Sequence, residues 1–210
     1  MDNTLYNFMD AQLAACNSVV RLIGADDGME LLRYFLRSIH GFEHPENIRD
    51  YMHDRGIHDN ALFSEAEDLY EDVKLSSITL FPGVENTLSL LKENNIRMAI
   101  VTDAESRQAE RRLSKLGIRD YFSDVITPDI SGKRKPEPDS FIMALDCLNA
   151  SANDAWVVGD SLRREVEPGN RLGMTTVFAK YGDWVNTPFP SIKPDYVIDH
   201  IQELPDLMEI

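Results

Sequence analysis

The sequence predicts an α/β protein: a three-layer α/β/α core built on a parallel sheet, with a four-helix module inserted near its start. Three observations predict it. From Leu80 onward, short β-rich runs alternate strictly with amphipathic helices. Residues 9–75 instead carry apolar positions at helical spacing, with no strand-like alternation. Finally, 43% hydrophobic and 27% charged residues over 210 positions is the composition of an ordinary packed chain, long enough for one domain and a small insert.

In the insert, Leu13, Cys16, Val20 and Ile23 share one helical face, and Leu31, Leu32, Phe35, Leu36 and Ile39 share another. Gly24, Gly28, Gly41, Pro45 and Gly56 interrupt the pattern and divide it into about four helices. Beyond it, strands are expected at 96–101, 124–127, 155–158, 175–178 and 196–198, and helices near 83–93, 104–116, 138–149 and 163–172. Residues 1–8 and 79–210 are thereby assigned to the core and 9–78 to the helical module. Strand and helix in strict turn give a parallel sheet covered on both faces. Such sheets bind ligands beyond the carboxyl ends of their strands, so those ends are where chemistry is sought.

Charge and cysteine content narrow the function. With 36 acidic and 21 basic side chains the formal charge is −15, which repels nucleic-acid backbones and anionic membrane surfaces. A small anionic ligand then needs locally placed cations. Cys16 and Cys147 form no CxxC pair, so two buried thiols are expected rather than a disulfide framework or zinc ribbon. No apolar run reaches the roughly 18 to 20 residues of a membrane span, and no basic segment precedes an apolar one at the start. A cytoplasmic monomer or homodimer is expected.

The expected strand ends carry a chemical set. Thr102-Asp103 follows the strand at 96–101: a hydroxyl and a helix-opening residue with free N–H groups, a cradle for one phosphate as well as an ordinary helix cap. Gly132-Lys133-Arg134-Lys135-Pro136-Glu137-Pro138 is a stiff loop able to present one ammonium inward, although three neighbouring cations also read as a solvated cluster. Gly159-Asp160-Ser161 puts a carboxylate on a tight turn, with Glu165 following about one helical turn later. Two such carboxylates suit Mg²⁺, which takes one or two of them with water and phosphate oxygens. Arg163 and Arg164 in the same turn are expected to be exposed, contact with substrate being the alternative.

Met1-Asp2-Asn3-Thr4-Leu5, Ile100-Val101-Thr102, Lys135-Pro136-Glu137-Pro138 and Val157-Val158-Gly159-Asp160-Ser161, in that order, resemble the four motifs of the haloacid dehalogenase superfamily. The resemblance covers essentially the whole chain, and the insert before Phe81-Pro82-Gly83-Val84 is similar to the C1-type helical cap of phosphoglycolate-phosphatase-like members. It implies a Rossmann-like core, Mg²⁺ as cofactor, and hydrolysis of a small phosphorylated metabolite through an aspartyl-phosphate, with the cap governing substrate choice. By the same resemblance Asp2 is the general acid/base and its carbonyl holds the metal with Asp160. Thr102 and the Asp103 N–H bind phosphoryl oxygens, and Lys135 neutralises nucleophile and phosphate. Glu165 stands where an Asp is more usual, to orient either a metal-bound water or the lysine, and is counted with the metal set.

One departure stands out. The family's first motif reads Asp-x-Asp-x-Thr after a hydrophobic strand; aligned on Asn3-Thr4-Leu5, its second Asp is Asp2 and its attacking Asp falls one residue before Met1. No residues remain for a first strand, so its two neighbours are expected to face an empty slot, and the natural chain is expected to start upstream. Two alternatives accompany the phosphatase: a catalytically silent binding or regulatory protein of the same family, and an L-2-haloacid dehalogenase, which Asp2 disfavours. Tyr6, Asn7 and Phe8 fall where the cap hinge begins. His40 and His44 are discounted as a metal pair because Gly41 and Pro45 break their helix, and Tyr34, Tyr51 and Tyr70 are expected in the core.

Overall fold

A computed structural model describes residues 1–184, 186 and 188–210, and its contacts divide the chain into two compact units, Phe8–Ile78 and Met1–Asn7 with Thr79–Ile210. The first unit holds four helices: α1 (Phe8–Leu22), α2 (Gly28–Leu36), α3 (Glu46–His53) and α4 (Asn60–Ser77). Asp27 caps α2 by accepting the Met29 N–H at 2.9 Å, and Asp59 caps α4 by accepting those of Ala61 and Leu62 at 2.8 and 3.0 Å. Each cap satisfies amide donors that the helix leaves unpaired. The apolar faces meet in a core that includes Cys16, Val20, Leu31, Phe35, Ile48, Tyr51 and Tyr70. Lys74 is buried on α4 between Glu43 and Glu71, at 2.8 and 2.6 Å, with its ammonium over the Tyr70 ring. His40 is 3.0 Å from Asp50, and Cys147 is exposed, so only Cys16 matches the expectation of a buried thiol.

The second unit alternates as expected: α5 (Val84–Glu93), β1 (Ala99–Val101), α6 (Ser106–Lys115), β2 (Asp124–Ile126), α7 (Pro128–Ser131), α8 (Asp139–Leu148), β3 (Trp156–Gly159), α9 (Glu167–Leu172), β4 (Thr175–Ala179), β5 (Tyr196–Ile198) and α10 (Leu204–Leu207). All strand pairs are parallel, with Ile100 opposite Val125, Val158 opposite Val177 and Phe178 opposite Val197. The sheet, however, is not continuous. β1 and β2 form one ribbon and β3, β4 and β5 a second, so β1 and β3 each have one edge without a ladder partner. A cavity of about 630 Å³ lies between, lined by Ile100 and Val101 of β1, Val157 and Val158 of β3, Leu88 of α5, Phe141 of α8, and Met1. Thr4 and Leu5 also line it, in a tight turn that sets the Leu5 N–H on the Met1 carbonyl at 2.8 Å. Among the described residues no helix is long and apolar enough to cross a membrane.

Candidate active site

Four chain segments meet at the carboxyl ends of β1 and β3. The first turn is tied down on both sides: Tyr6 bridges to Asp2 and to Leu80, and the Phe81 N–H reaches the Leu5 carbonyl at 3.0 Å. The Thr4 hydroxyl donates to Asp160 Oδ1 at 2.8 Å, joining positions 156 apart, while the Tyr181 hydroxyl donates to the Thr4 carbonyl at 2.7 Å. Gly182 is needed for this approach, because a Cβ there would run into the Asn3 carbonyl oxygen and lie 2.8 Å from Asp160 Cβ.

Asp160 itself is 6% exposed, and burial, reinforced by Glu165, pushes its carboxyl up to about 6. Its nearest cation is the Arg164 guanidinium, whose Nη2 stops 3.6 Å from Oδ2, beyond hydrogen-bond reach. Asp160 is thus a buried carboxylate without a committed positive partner among the described residues. That fits a hard divalent cation, which offsets the desolvation of the carboxylate and completes its coordination with water and phosphate oxygens. No group of three or more His, Cys, Asp or Glu side chains arranged as a metal cage occurs among the described residues, so a cation here depends on those other ligands.

Lys135 lies opposite. Its Nζ is 2.6 Å from Glu165 Oε1 and 3.4 Å from the Val101 carbonyl, and the two side chains are 6% and 8% exposed. Burial alone lowers the Lys135 ammonium, but the carboxylates of Glu165 and Asp103 outweigh it and hold the pKa above the usual lysine range. Burial likewise raises the Glu165 carboxyl, and Lys135 and Arg164 more than reverse this. The other Glu165 oxygen accepts the Ser161 N–H at 3.0 Å, and the side chain crosses Gly159 so closely that a Cβ there would overlap Glu165 Cγ. Asp103 anchors the lysine loop, accepting the Lys135 backbone N–H at 2.9 Å, while Arg134 donates to the Asp103 carbonyl at 2.6 Å.

Asp2 carries the remaining contacts. Tyr6 donates to its Oδ1 at 2.5 Å, Arg112 reaches the same oxygen at 3.0 Å, and the Thr102 hydroxyl is 3.5 Å from Oδ2. Burial opposes ionisation of Asp2, but Arg112, the chain's amino group, Tyr6 and Lys135 outweigh it and hold the carboxyl below its ordinary value. Thr102 also serves locally, accepting the Ala104 N–H at 3.2 Å. The Met1 amine is buried near Lys135, and burial lowers its pKa.

Asp2, Thr102, Asp103, Lys135, Asp160 and Glu165 therefore share one locality. Of the two parts expected of Glu165, orienting a metal-bound water or the lysine, its contacts are with the lysine: one oxygen is on the Lys135 ammonium and the other on the Ser161 amide. Arg112, Thr4 and Tyr181 were not anticipated as part of the cluster. Arg112 left a trace in the sequence, since it falls on the same helical face as Ala109 and Leu113 and is 3% exposed. A cation on an apolar stripe needs an anion within reach, and the half-buried Asp2 is that anion.

A family model described as haloacid dehalogenase-like hydrolase matches residues 1–179. Among curated relatives, a glyceraldehyde 3-phosphate phosphatase of Methanocaldococcus jannaschii is 27% identical over 100% of this chain and 94% of its own length. Phosphoglycolate phosphatase 1 of Pseudomonas aeruginosa is also 27% identical, over 97% of this chain and 76% of its own. Among solved structures, YfnB from Bacillus subtilis, determined with bound magnesium, superposes with a TM-score of 0.78 at 20% identity, covering 100% of this chain and 96% of that one. An HAD phosphatase from Thermococcus onnurineus gives 0.70 at 24% identity, with 99% and 94% covered. At those identities the two structures speak for the fold alone.

Proposed function

The chain belongs to the haloacid dehalogenase-like hydrolases, and on that premise we propose that it is a Mg²⁺-dependent phosphatase of a small phosphorylated metabolite, working through an aspartyl-phosphate. The observation that carries this reading is the convergence of Asp2, Thr102, Lys135 and Asp160 at the carboxyl ends of β1 and β3, with a buried Asp160 carboxylate lacking a committed cation among the described residues. Relatives whose names give phosphorylated three-carbon and two-carbon substrates support it.

The attacking carboxylate, on this proposal, is supplied by an extended apolar segment seated in the slot between β1 and β3, in line with Met1. Three features support that. The slot is about 630 Å³, it is lined largely by apolar side chains, and the strands on its two sides each pair in parallel with their other neighbour. The segment's last carboxylate oxygen bonds to phosphorus as the ester P–O bond breaks, splitting one hard displacement into two easier ones. Thr102 and the Asp103 N–H hold phosphoryl oxygens. Lys135, kept charged by Glu165, offsets the meeting of two anions. Asp160 and the Asp2 carbonyl would hold Mg²⁺, which when bound would neutralise charge on the transferring group.

Asp2 gives the leaving alkoxide its proton and then takes one from the water that attacks the acyl-phosphate. Arg112 favours the ionised form, which suits the second step; the first requires the Asp2–Arg112 pairing to open. Phosphate release from a panel of phosphomonoesters, with and without Mg²⁺, tests the reading on this chain and on one lengthened before Met1 by a short apolar strand ending in Asp. Mg²⁺-dependent release by the lengthened chain, lost in its Asp160→Asn variant, is expected. Folded, Mg²⁺-binding and inactive proteins in both forms would instead favour the silent alternative.

A further inference from the structure

Resting on that reading of the phosphate site, we propose that Arg164 recognises a second anionic group of the substrate, so that the site selects phosphomonoesters bearing a carboxylate or a further phosphate over those with a neutral tail. Arg164 differs from every other cation of the cluster in being uncommitted. Arg112 is hydrogen-bonded to Asp2 at 3.0 Å, Arg134 to Glu105 and the Asp103 carbonyl at 2.6 Å each, and Lys135 to Glu165 at 2.6 Å. The Arg164 guanidinium makes no hydrogen bond among the described residues. It hangs between Asp160 Oδ2 at 3.6 Å and Asp103 Oδ2 at 3.9 Å, with its side chain 46% exposed.

Its backbone, by contrast, is fixed. The Arg164 N–H donates to Ser161 Oγ at 3.2 Å in the π-type turn Leu162–Val166 that leaves β3. The long side chain thus starts from a rigid point at the mouth of the site and ends in five unused donors. One of its two loose partners is the carboxylate that a divalent cation takes. Once Asp160 is occupied, the guanidinium faces a like charge and keeps Glu165 and Asp103 as counter-charges without a hydrogen bond to either among the described residues, so an incoming anion becomes its best partner. The planar fork matches two oxygens of a carboxylate or phosphate at once, as a lysine ammonium does not. Lys135 cannot take this part, because its ammonium is inside the site and held by Glu165.

Titration calorimetry on the folded chain with saturating Mg²⁺ tests the proposal with three probes: ethyl phosphate, 2-phosphoglycolate and ethylene glycol bisphosphate. Wild type is expected to bind at least one of the two doubly anionic probes about tenfold more tightly than ethyl phosphate, the scale of one charge-assisted hydrogen-bonded pair. Whichever is preferred names the second group as carboxylate or phosphate. Arg164→Gln should bring that ratio to about one, and Arg164→Lys should retain part of it. A ratio near one in wild type, or a preference that survives Arg164→Gln, overturns the proposal. Failure of the folded protein to bind any probe, ethyl phosphate included, overturns instead the reading of the phosphate site on which it rests.

Discussion

Removing Glu165 tests the electrostatic logic of the site without depending on turnover. Its carboxylate is the chief counter-charge of Lys135, at 2.6 Å, with both side chains under a tenth exposed. Taking one partner from a buried pair leaves the other charge stranded, which destabilises by about 3 to 5 kcal/mol. Asp103 remains near Lys135 and the Val101 carbonyl still accepts from its ammonium, which points to the lower end of that range. For a chain of this size about 3 kcal/mol corresponds to a fall in Tm of about 6 to 12 °C. Glu165→Ala, followed by thermal and urea unfolding, should show it, and the double variant Lys135→Met with Glu165→Leu should recover most of the loss, because apolar replacement removes both desolvation penalties.

The sign of the pH dependence follows from the two shifts. Glu165 is lowered, so its contribution is present above the ordinary carboxylate pKa and fades as pH falls through the folded value. Lys135 is raised, so its contribution is present below the ordinary lysine pKa and fades as pH climbs through the folded value. The stability gap between wild type and Glu165→Gln should therefore be widest between about pH 5 and pH 10 and narrow on both sides. A Glu165→Ala protein within about 0.5 kcal/mol of wild type, the range of ordinary surface changes, would refute the reasoning.

Three further outcomes are expected. Gly159→Ala drives a methyl into Glu165 and so should cost about 1 to 3 kcal/mol by the same unfolding assay, while Gly132→Ala, with open space around its Cβ position, carries only the strain of its positive φ. Asp59→Ala removes the acceptor for two amides at the start of α4 and should lower stability by about 1 kcal/mol, with Asp59→Asn largely sparing it. Arg112→Met leaves Asp2 with Tyr6 but without its cation, and should destabilise by more than Arg112→Lys, read by urea midpoint at constant m.

Much of the fold could be read from the sequence because its signals are local. Short β-rich runs between helices of 3.6-residue periodicity placed β1, β2, β3, β4 and β5 within a few residues, and Thr102, Lys135 and Asp160 were found simply because they follow strands. What the sequence could not display are partnerships across long separations. Thr4 and Asp160 are 156 positions apart and Asp2 and Arg112 are 110 apart, and no periodicity connects them. Glu165 shows why residue type alone is insufficient: beside Asp160 it reads as half of a metal pair, and its contact with the Lys135 ammonium, 30 positions earlier, carries no sequence signal. Arg164 was expected to be exposed, and it half is; that its guanidinium makes no hydrogen bond among the described residues is visible only in three dimensions.

The central claim is that an acyl-phosphate forms on a residue seated in the slot, beside Asp2 and under the control of Asp160. Acid-quenched mass spectrometry of the lengthened chain, mixed briefly with Mg²⁺ and a hydrolysed phosphomonoester, tests it most directly. The account predicts a phosphoryl adduct on the added Asp immediately before Met1, absent from the unextended chain and from the Asp160→Asn variant. Phosphate release with the adduct on any other residue, or with none formed at all, would contradict it.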